Sequence, residues 1–296
     1  MPASRKTGLS RVPFLWYVLL RNLIYPETKA GISMATYLIT GAGGGMGSVL
    51  CRKLAREGHR VLGIDLVLPD SMGGVRFFSA DITRTEDLQA VADNLHAEGI
   101  HLDGIIHMAG IYDPNSLVEM PEEDFCRDFN VNLFGLFRVN RLFLPLLGAG
   151  GRIVIISSEL APLHPLPFTG IYAVTKTAVE HYAEALRMEL QLLGHPVIVI
   201  RPGAVRTGML PASTEKLNRF CRETRLYPHN AGRFRRIVGR VEARNVPPET
   251  IAGTVRKALS ARKPRLVYKV NRNPLLLLFS RLPQHLQLRI IRKILA

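Results

Sequence analysis

The 296-residue sequence is poor in cysteine and lacks long apolar runs. Its three cysteines, Cys51, Cys126 and Cys221, form no CxxC pair and have no metal-ligand spacing, which argues against a disulfide scaffold or a metal site. The longest uncharged apolar stretch, Val12 to Leu20, is too short to cross a bilayer of about 30 Å as a helix. Residues 1–33 are therefore predicted to be a retained leader at a membrane interface.

Acidic residues are scarce at the two ends of the chain. The net charge of +15 divides into +4 for residues 1–29, −5 for residues 30–209 and +16 for residues 210–296. The basic residues are not interleaved with aromatic stacking residues, so no nucleic-acid partner is predicted. The basic, apolar ends favour a peripheral contact with the cytoplasmic side of a membrane. Packing on a partner subunit and capping of a substrate pocket remain alternatives for both ends.

Short apolar runs alternate with longer amphipathic stretches from about residue 35 onward. Seven runs are predicted to be strands, at residues 36–40, 60–65, 75–80, 102–108, 152–158, 197–202 and 265–270. Helices are predicted at residues 45–58, 84–98, 121–146, 171–194 and 248–262. Because mostly unbroken apolar strands are covered on both faces, the alternation predicts a single doubly wound α/β (Rossmann-type) domain over residues 34–271. Its seven-stranded parallel sheet would carry helices on both faces.

Two regions depart from this alternation. Residues 203–247 form a long, Arg-rich connection between the last two strands, and such a length is typical of a substrate lid. Residues 272–296 are predicted to be a basic amphipathic tail. One face of the tail helix would carry the apolar residues Leu286, Ile290, Ile291, Ile294 and Leu295, whereas Gln287, Arg292 and Lys293 would lie outside it.

A glycine-rich turn follows the first predicted strand and leads directly into a helix. It contains Gly41, Gly45, Met46 and Gly47, and glycines there let backbone N–H groups approach a pyrophosphate at the positive end of the helix. Asp65 ends the second strand, about twenty residues later. Its carboxylate can accept hydrogen bonds from both ribose hydroxyls and would repel a 2′-phosphate, so the predicted cofactor is NAD rather than NADP.

Further motifs follow in a fixed order after Asp65. They are Asp81, HMAG at residues 107–110, Asn132, Ser158, the YxxxK pair Tyr172 and Lys176, and Pro202-Gly203. With the glycine turn, this ordered set resembles the classical short-chain dehydrogenase/reductase family over about residues 35–270, and its layout is most similar to the retinol and hydroxysteroid dehydrogenase branch. The family's usual NNAG is HMAG here, which replaces two amides that tie the sheet together and line the cofactor site.

The resemblance implies which other residues bind the cofactor and which carry the chemistry. The further cofactor contacts would be Asp81, Ile82, Ala109, Gly110, Tyr172, Lys176, Pro202, Gly203, Val205 and Thr207. The catalytic set would be Asn132, Ser158, Tyr172 and Lys176, with Ser157 and Asn130 as neighbouring alternatives that the family pattern disfavours.

The tetrad has a physical logic of its own. Loss of a hydride from an alcohol requires a base within about 3 Å of the hydroxyl, and Tyr172 has an ordinary pKa near 10. Lys176 lies one helical turn later and would stabilise the phenolate. Ser158 would hydrogen-bond the reacting oxygen. Asn132 would complete the set through a helix distortion and a water-mediated relay to Lys176.

The predicted substrate is a lipophilic, secondary alcohol or its ketone, such as a hydroxysteroid or retinoid. This rests on apolar residues expected near the site, namely Ile111, Tyr112, Leu160, Leu163, Leu166, Phe168, Met209 and Leu210. Three alternatives remain: an NADPH-dependent carbonyl or 3-oxoacyl reductase, a dehydrogenase of a small hydroxy acid such as hydroxybutyrate, and a non-catalytic NAD-binding protein. A homodimer or homotetramer is expected.

Overall fold

The computed structural model describes residues 34–69 and 71–296, so the predicted leader, residues 1–33, lies outside the described residues. The strands are β1 Thr36–Thr40, β2 Arg60–Asp65, β3 Val75–Ser79, β4 Leu102–His107, β5 Leu147–Ile156, β6 Val197–Pro202 and β7 Val267–Val270. The α-helices are α1 Gly45–Arg56, α2 Thr85–Ala97, α3 Glu122–Phe129, α4 Gly135–Phe143, α5 Gly170–Leu190, α6 Met209–Glu223, α7 Pro228–Glu242, α8 Pro248–Ser260, α9 Pro274–Ser280 and α10 Gln284–Leu295. Among the described residues, no helix combines the length and apolarity that a membrane crossing needs.

The seven strands form one parallel sheet in the order β3-β2-β1-β4-β5-β6-β7. The order reverses between β1 and β4, which leaves a crevice at the carboxyl ends of these two strands. Each face of the sheet has its own apolar core. One core joins the strands to helices α2, α4 and α5, and the other joins them to α1 and α8. The predicted doubly wound fold is therefore confirmed.

The predicted helix over residues 121–146 is present but is not one regular α-helix, and the predicted strand over residues 152–158 was wrong in its extent. The helix is interrupted by a π-helix at Asn130–Phe134 and ends in a 3₁₀ turn at Leu144–Leu146. The strand already begins at Leu147, because the glycine-rich segment before Arg152 continues the pairing with β4 through an irregularity in register. Apolar periodicity did not reveal either change, since a π-turn shifts the helix face by only one residue.

The region after β6 contains regular helices. Helices α6 and α7 occupy most of the predicted insert, and they share a small apolar core with α10 that includes Phe220, Phe234 and Leu295. The predicted apolar face of α10 was partly wrong: Gln287 is buried, whereas Ile294 is 51% exposed. Gln287 Nε2 donates to the carbonyls of Ser280 and Leu282, where α9 ends, so its burial satisfies backbone acceptors.

Asp128, in α3, is an unusual buried carboxylate. Its side chain is fully buried, and neither oxygen has a hydrogen-bond partner among the described residues. Arg127 Nη2 lies 3.9 Å from Oδ1 but is shared with Asp113 at 2.5 Å. Burial, together with the charge of Asp113, raises the pKa of Asp128 to about 7 against the opposing charge of Arg127.

Replacing Asp128 with asparagine is expected to stabilise the protein above pH 7. The folded protein binds a proton that the unfolded chain has lost between about pH 4 and pH 7, so wild-type stability falls across this range. In urea unfolding, the free energy of unfolding of Asp128→Asn should exceed that of wild type by about 2 kcal/mol at pH 8, and the difference should disappear near pH 4. The exposed Asp93→Asn change is the matched control, and an equal gain there would contradict this explanation.

Candidate active site

The turn after β1 forms a cradle that has no room for side chains. Gly41 has a φ of 68°, and a Cβ there would lie 2.6 Å from the amide nitrogen of Ala109. A Cβ on Gly47 would lie 2.0 Å from the carbonyl oxygen of Gly41. Helix α1 begins at Gly45, so its free N–H groups and positive dipole end face this cradle. The geometry fits the pyrophosphate of a dinucleotide.

Asp65 stands beside the cradle at the end of β2. Its Oδ2 accepts a hydrogen bond from Gly43 N at 2.8 Å, and its Oδ1 accepts one from Val67 N at 3.3 Å. The carboxylate therefore holds the glycine turn in shape, and its side chain remains only partly buried. It lies where the adenosine ribose of a dinucleotide would reach the second strand.

Most of the other predicted cofactor residues line the crevice at the carboxyl ends of β1 and β4, whereas Asp81 and Ile82 line neither of its cavities. Asp81 Oδ1 accepts hydrogen bonds from Thr83 N and Oγ1, and Ile82 packs against Gly135. Ala109, Gly110 and Thr207 line a cavity with the glycine turn. Pro202, Gly203, Val205 and Thr207 line the adjoining pocket with Met46, Tyr172 and Lys176. The structure thus brings the β6 segment and the glycine turn to one site.

Tyr172 and Ser158 meet at the floor of this adjoining pocket. Tyr172 lies in the first turn of α5, Ser158 follows β5, and both side chains line this pocket. Ser158 Oγ also accepts from Leu160 N at 3.2 Å, which fixes the hydroxyl group. Burial raises the pKa of Tyr172 to about 12, and the nearby Ser158 hydroxyl opposes this rise.

Lys176 lies one turn after Tyr172 and is buried. Its Nζ donates to the carbonyl oxygen of Ile156 at 3.0 Å and lies 5.7 Å from the centre of the Tyr172 ring. Burial lowers the pKa of Lys176 to about 8, while the charge of Glu180 opposes this shift. Glu180 is held by Arg201 through two hydrogen bonds of 2.8 Å. The ammonium group is therefore directed into the pocket by neighbours on β5 and α5.

Asn132 lies within the π-helix and is buried. Its Nδ2 donates to Ile111 O and Thr175 Oγ1, each at 3.1 Å, and its Oδ1 accepts from Ile111 N at 2.9 Å. A Cβ added to Gly110 would lie 3.1 Å from Asn132 Oδ1 and 3.5 Å from Lys176 Nζ. Asn132 and Lys176 thus border the same small space beside Gly110, and the predicted helix distortion is present.

His107, the first residue of the HMAG departure, links strand β4 to two helices. It is buried, and its Nε2 lies 2.8 Å from Asn140 Oδ1 in α4. Asn140 Nδ2 in turn donates to the hydroxyl oxygen of Tyr182 in α5 at 3.1 Å. Burial lowers the pKa of His107 to about 4, so the imidazole is neutral and can donate to Asn140 at neutral pH. The three side chains connect β4 with two helices.

The pocket above Tyr172 has predominantly apolar walls. Of the eight residues expected there, Tyr112, Leu160, Leu166, Met209 and Leu210 line it. The expectation for Phe168 was wrong: its ring packs against Phe220, at 4.9 Å between centroids, within the core that α6, α7 and α10 share. Leu163 does not line this pocket, and Ile111 lines the neighbouring cavity by the glycine turn.

Sequence reasoning missed one wall of the pocket and one acid in it. Four residues of α7 and one of α9 line it, namely Phe234, Ile237, Val238, Val241 and Leu276. The spacing of the α7 residues is that of one helix face and was visible in the sequence. Glu159 also lines the pocket, and its Oε2 accepts from Asn273 N at 2.7 Å, which holds the start of α9 at the pocket.

A family model described as short chain dehydrogenase matches residues 35–218. The chain belongs to this family and is an oxidoreductase of the short-chain dehydrogenase/reductase type, a family that binds NAD(P) in general. The predicted resemblance is confirmed.

The curated relatives include proteins named as a retinol dehydrogenase, a hydroxysteroid dehydrogenase and a 3-ketodihydrosphingosine reductase. Retinol dehydrogenase 16 of Mus musculus is 30% identical over 239 residues, covering 76% of this chain and 72% of the relative. The 17-beta-hydroxysteroid dehydrogenase type 6 of Mus musculus is 34% identical over 209 residues, covering 66% and 65%. The 3-ketodihydrosphingosine reductase of Bacteroides thetaiotaomicron is 26% identical over 235 residues, covering 79% and 86%.

Solved structures share the fold. A short chain dehydrogenase family protein from Francisella tularensis aligns with a TM-score of 0.68 at 22% identity, covering 81% of this chain and 98% of that chain. A 3-ketoacyl-(acyl-carrier-protein) reductase from Brucella melitensis, solved with NADH, gives a TM-score of 0.63 at 20% identity, covering 80% and 97%.

Proposed function

We propose that this protein is an NAD-dependent oxidoreductase that interconverts a lipophilic, secondary alcohol and its carbonyl compound. The observation that carries the proposal is that Tyr172, Ser158 and Lys176 line one apolar pocket, which adjoins the glycine cradle. A reacting oxygen placed between the two hydroxyl groups would lie next to the crevice that fits a dinucleotide.

In this proposal, NAD held at the glycine cradle would supply the hydride acceptor, and side chains of the protein would handle the proton. Tyr172 takes the hydroxyl proton as general base, while Ser158 donates a hydrogen bond to the reacting oxygen. The ammonium group of Lys176 lowers the cost of the phenolate, which burial otherwise makes high. Asn132 holds the backbone at Ile111 and borders the space beside Lys176, where a water molecule could pass the proton onward.

The preference for NAD is proposed from Asp65. A 2′-phosphate at the end of β2 would meet a carboxylate that is already committed to Gly43 and Val67. The phosphate and the carboxylate are both anions and would repel each other there, so NADP would bind more weakly than NAD.

The lipophilic substrate is proposed from the pocket walls. Residues of α6, α7 and α9 surround the site with apolar side chains, and Glu159 and Lys176 are the only charged residues that line it among those the structure describes. Burying an apolar ring system or chain there is favourable, whereas a small hydroxy acid would leave its carboxylate near Glu159. The names of the retinol and hydroxysteroid relatives support the same class.

Reduction of a long-chain ketone is a second candidate. The relative named 3-ketodihydrosphingosine reductase covers more of this chain than the other two relatives described. With a pKa of about 12, Tyr172 is a neutral phenol at neutral pH, and in this form it can donate a proton to a carbonyl oxygen.

Turnover assays with purified protein test the proposal. We expect reduction of NAD with hydroxysteroids or retinol and little turnover with 3-hydroxybutyrate, because the latter cannot fill the apolar pocket. The reverse assay offers NADH with a steroid ketone and with 3-ketodihydrosphingosine. If only the sphingoid ketone reacts, the second candidate is correct. Tight NADH binding without turnover of any of these compounds would instead favour a non-catalytic protein.

Substitution of Asp65 tests the cofactor preference separately. Asp65→Asn removes the charge but keeps an oxygen that can accept the hydrogen bond from Gly43. We expect the ratio of NADP affinity to NAD affinity to rise about tenfold or more. Asp103→Asn is the matched control, because the Asp103 carboxylate also accepts a hydrogen bond from a backbone N–H and is not among the predicted cofactor contacts. An unchanged ratio in Asp65→Asn would contradict the role given to Asp65.

A further inference from the structure

Helices α7 and α10 carry the same pattern of basic residues. His229, Arg233, Arg236 and Arg240 recur along α7 at spacings that place them on one side of the helix, and His285, Arg289, Arg292 and Lys293 do so along α10. All eight side chains are exposed. We call these eight residues the basic face. Its members come from two elements that are distant in the sequence.

The two helices pack against each other. Leu295 and Ile291 of α10 join Ala231, Phe234 and Val238 of α7 in one apolar cluster, and Asn230 Nδ2 donates to Leu295 O at 2.7 Å. Because each helix buries its apolar side in this shared cluster, the opposite, basic side of each helix points to solvent.

The charges of the basic face are not neutralised by ion pairs among the described residues. Among the described residues, none of its arginines or its lysine takes part in an ion pair. Residues 250–296 contain 11 lysines and arginines and no aspartate or glutamate. Such a surface attracts an extended anionic partner.

Exposed apolar side chains accompany these charges. Leu275 and Leu278 of α9 are each 64% exposed, although Leu276 between them lines the substrate pocket. On α10, Leu288 is 61% exposed. Arginines together with exposed leucines suit an anionic bilayer, where the charges meet headgroups and the leucines enter the interface. Exposed phenylalanine, tyrosine or tryptophan rings, which a single-stranded nucleic acid would stack on, are absent from the described side chains of α7 and α10.

We propose that the basic face docks this protein on an anionic lipid bilayer. Helix α7 carries the basic stripe on one side and pocket-lining residues, including Phe234 and Val238, on another. Docking through α7 would therefore hold the pocket near the bilayer, from which a lipophilic substrate would enter. The charge of the basic face is enough to infer that its partner is anionic. The further choice of a lipid bilayer over other polyanions rests on the lipophilic substrate proposed above.

Vesicle co-sedimentation of the full chain tests this proposal. We expect binding to vesicles of phosphatidylcholine with phosphatidylserine, weak binding to phosphatidylcholine alone, and loss of binding at high salt. The triple variant Arg233→Glu, Arg236→Glu, Arg240→Glu should bind the anionic vesicles roughly 100-fold more weakly. The milder triple change to glutamine should give an intermediate loss, and it keeps good helix-forming residues in α7.

The matched control changes Arg262, Lys263 and Arg265 to glutamate. These residues precede β7 and so lie at the amino end of the parallel strands, whereas the active site lies at their carboxyl ends. This control changes the net charge equally and keeps residues 1–33, so any binding by the leader is common to both variants. Equal losses in both triple variants, or binding of wild type to heparin but not to anionic vesicles, would overturn the proposal. Sedimentation does not depend on turnover, so an inactive protein that still docks would refute only the proposed function.

Discussion

Tyr172→Phe is expected to lower kcat by about 10²–10⁴-fold, because the variant keeps the ring but loses the group that takes or gives the proton. The phenylalanine ring can keep its packing against Tyr112, whose centroid lies 4.6 Å away. NAD binding, measured by fluorescence titration, should therefore change only a few-fold. Steady-state kinetics at saturating NAD provide the rate.

Tyr182→Phe is the control for this substitution. Tyr182 lies on the same helix, and its hydroxyl oxygen accepts from Asn140, outside the pocket. We expect its kcat to stay near that of wild type, while its stability falls by about 1 kcal/mol through the lost hydrogen bond. If Tyr172→Phe turned over substrate as well as Tyr182→Phe does, the assigned chemistry would be refuted.

Lys176→Met is expected to have opposite effects on activity and stability. Turnover should fall by about 10²–10⁴-fold, since no cation remains to stabilise the phenolate. At pH 7 the free energy of unfolding should rise by about 2 kcal/mol, because the substitution removes a buried ammonium with a pKa of about 8. This figure allows for the loss of the hydrogen bond to Ile156.

The pH dependence of this gain follows from linkage. The folded pKa of Lys176 lies below the ordinary value of 10.5, so the unfolded chain binds more protons between about pH 8 and pH 10.5. Wild-type stability therefore rises relative to the methionine variant as pH rises through this window, and the gain should vanish at its upper end. Urea unfolding at pH 7 and pH 10 measures it, with the exposed Lys257→Met as control. A gain that is independent of pH would contradict the buried charge.

Much of the fold was predictable because the signals are local. Apolar runs of β-branched residues such as residues 197–200 favour strands covered on both faces. The glycine turn at Gly41 to Gly47, placed between a strand and a helix, favours a nucleotide site. The catalytic set was predictable from the order of its motifs, and its roles remain predictions. The structure does place Ser158, Tyr172, Lys176 and Asn132 around one crevice.

Tertiary context decided the features that sequence reasoning missed. Phe168 and Phe234 are both apolar residues of the substrate region, yet the first packs in the core and only the second also lines the pocket. Gln287 was expected at the surface because it is polar, whereas two unpaired carbonyls at the end of α9 bring it inside. Hydrophobicity alone does not distinguish a core from a pocket, nor an exposed amide from one that bonds to backbone.

The pocket wall formed by Phe234, Ile237, Val238, Val241 and Leu276 lies beyond residue 218, where the match to the family model ends. The proton-handling residues all precede that point. One wall of the pocket is thus encoded after the residues proposed to carry the chemistry, so the carboxyl-terminal stretch is a natural unit for grafting between relatives. Exchanging it would replace one side of the pocket while leaving Ser158, Tyr172 and Lys176 on their own scaffold, which makes this architecture suited to acquiring new substrates by recombination.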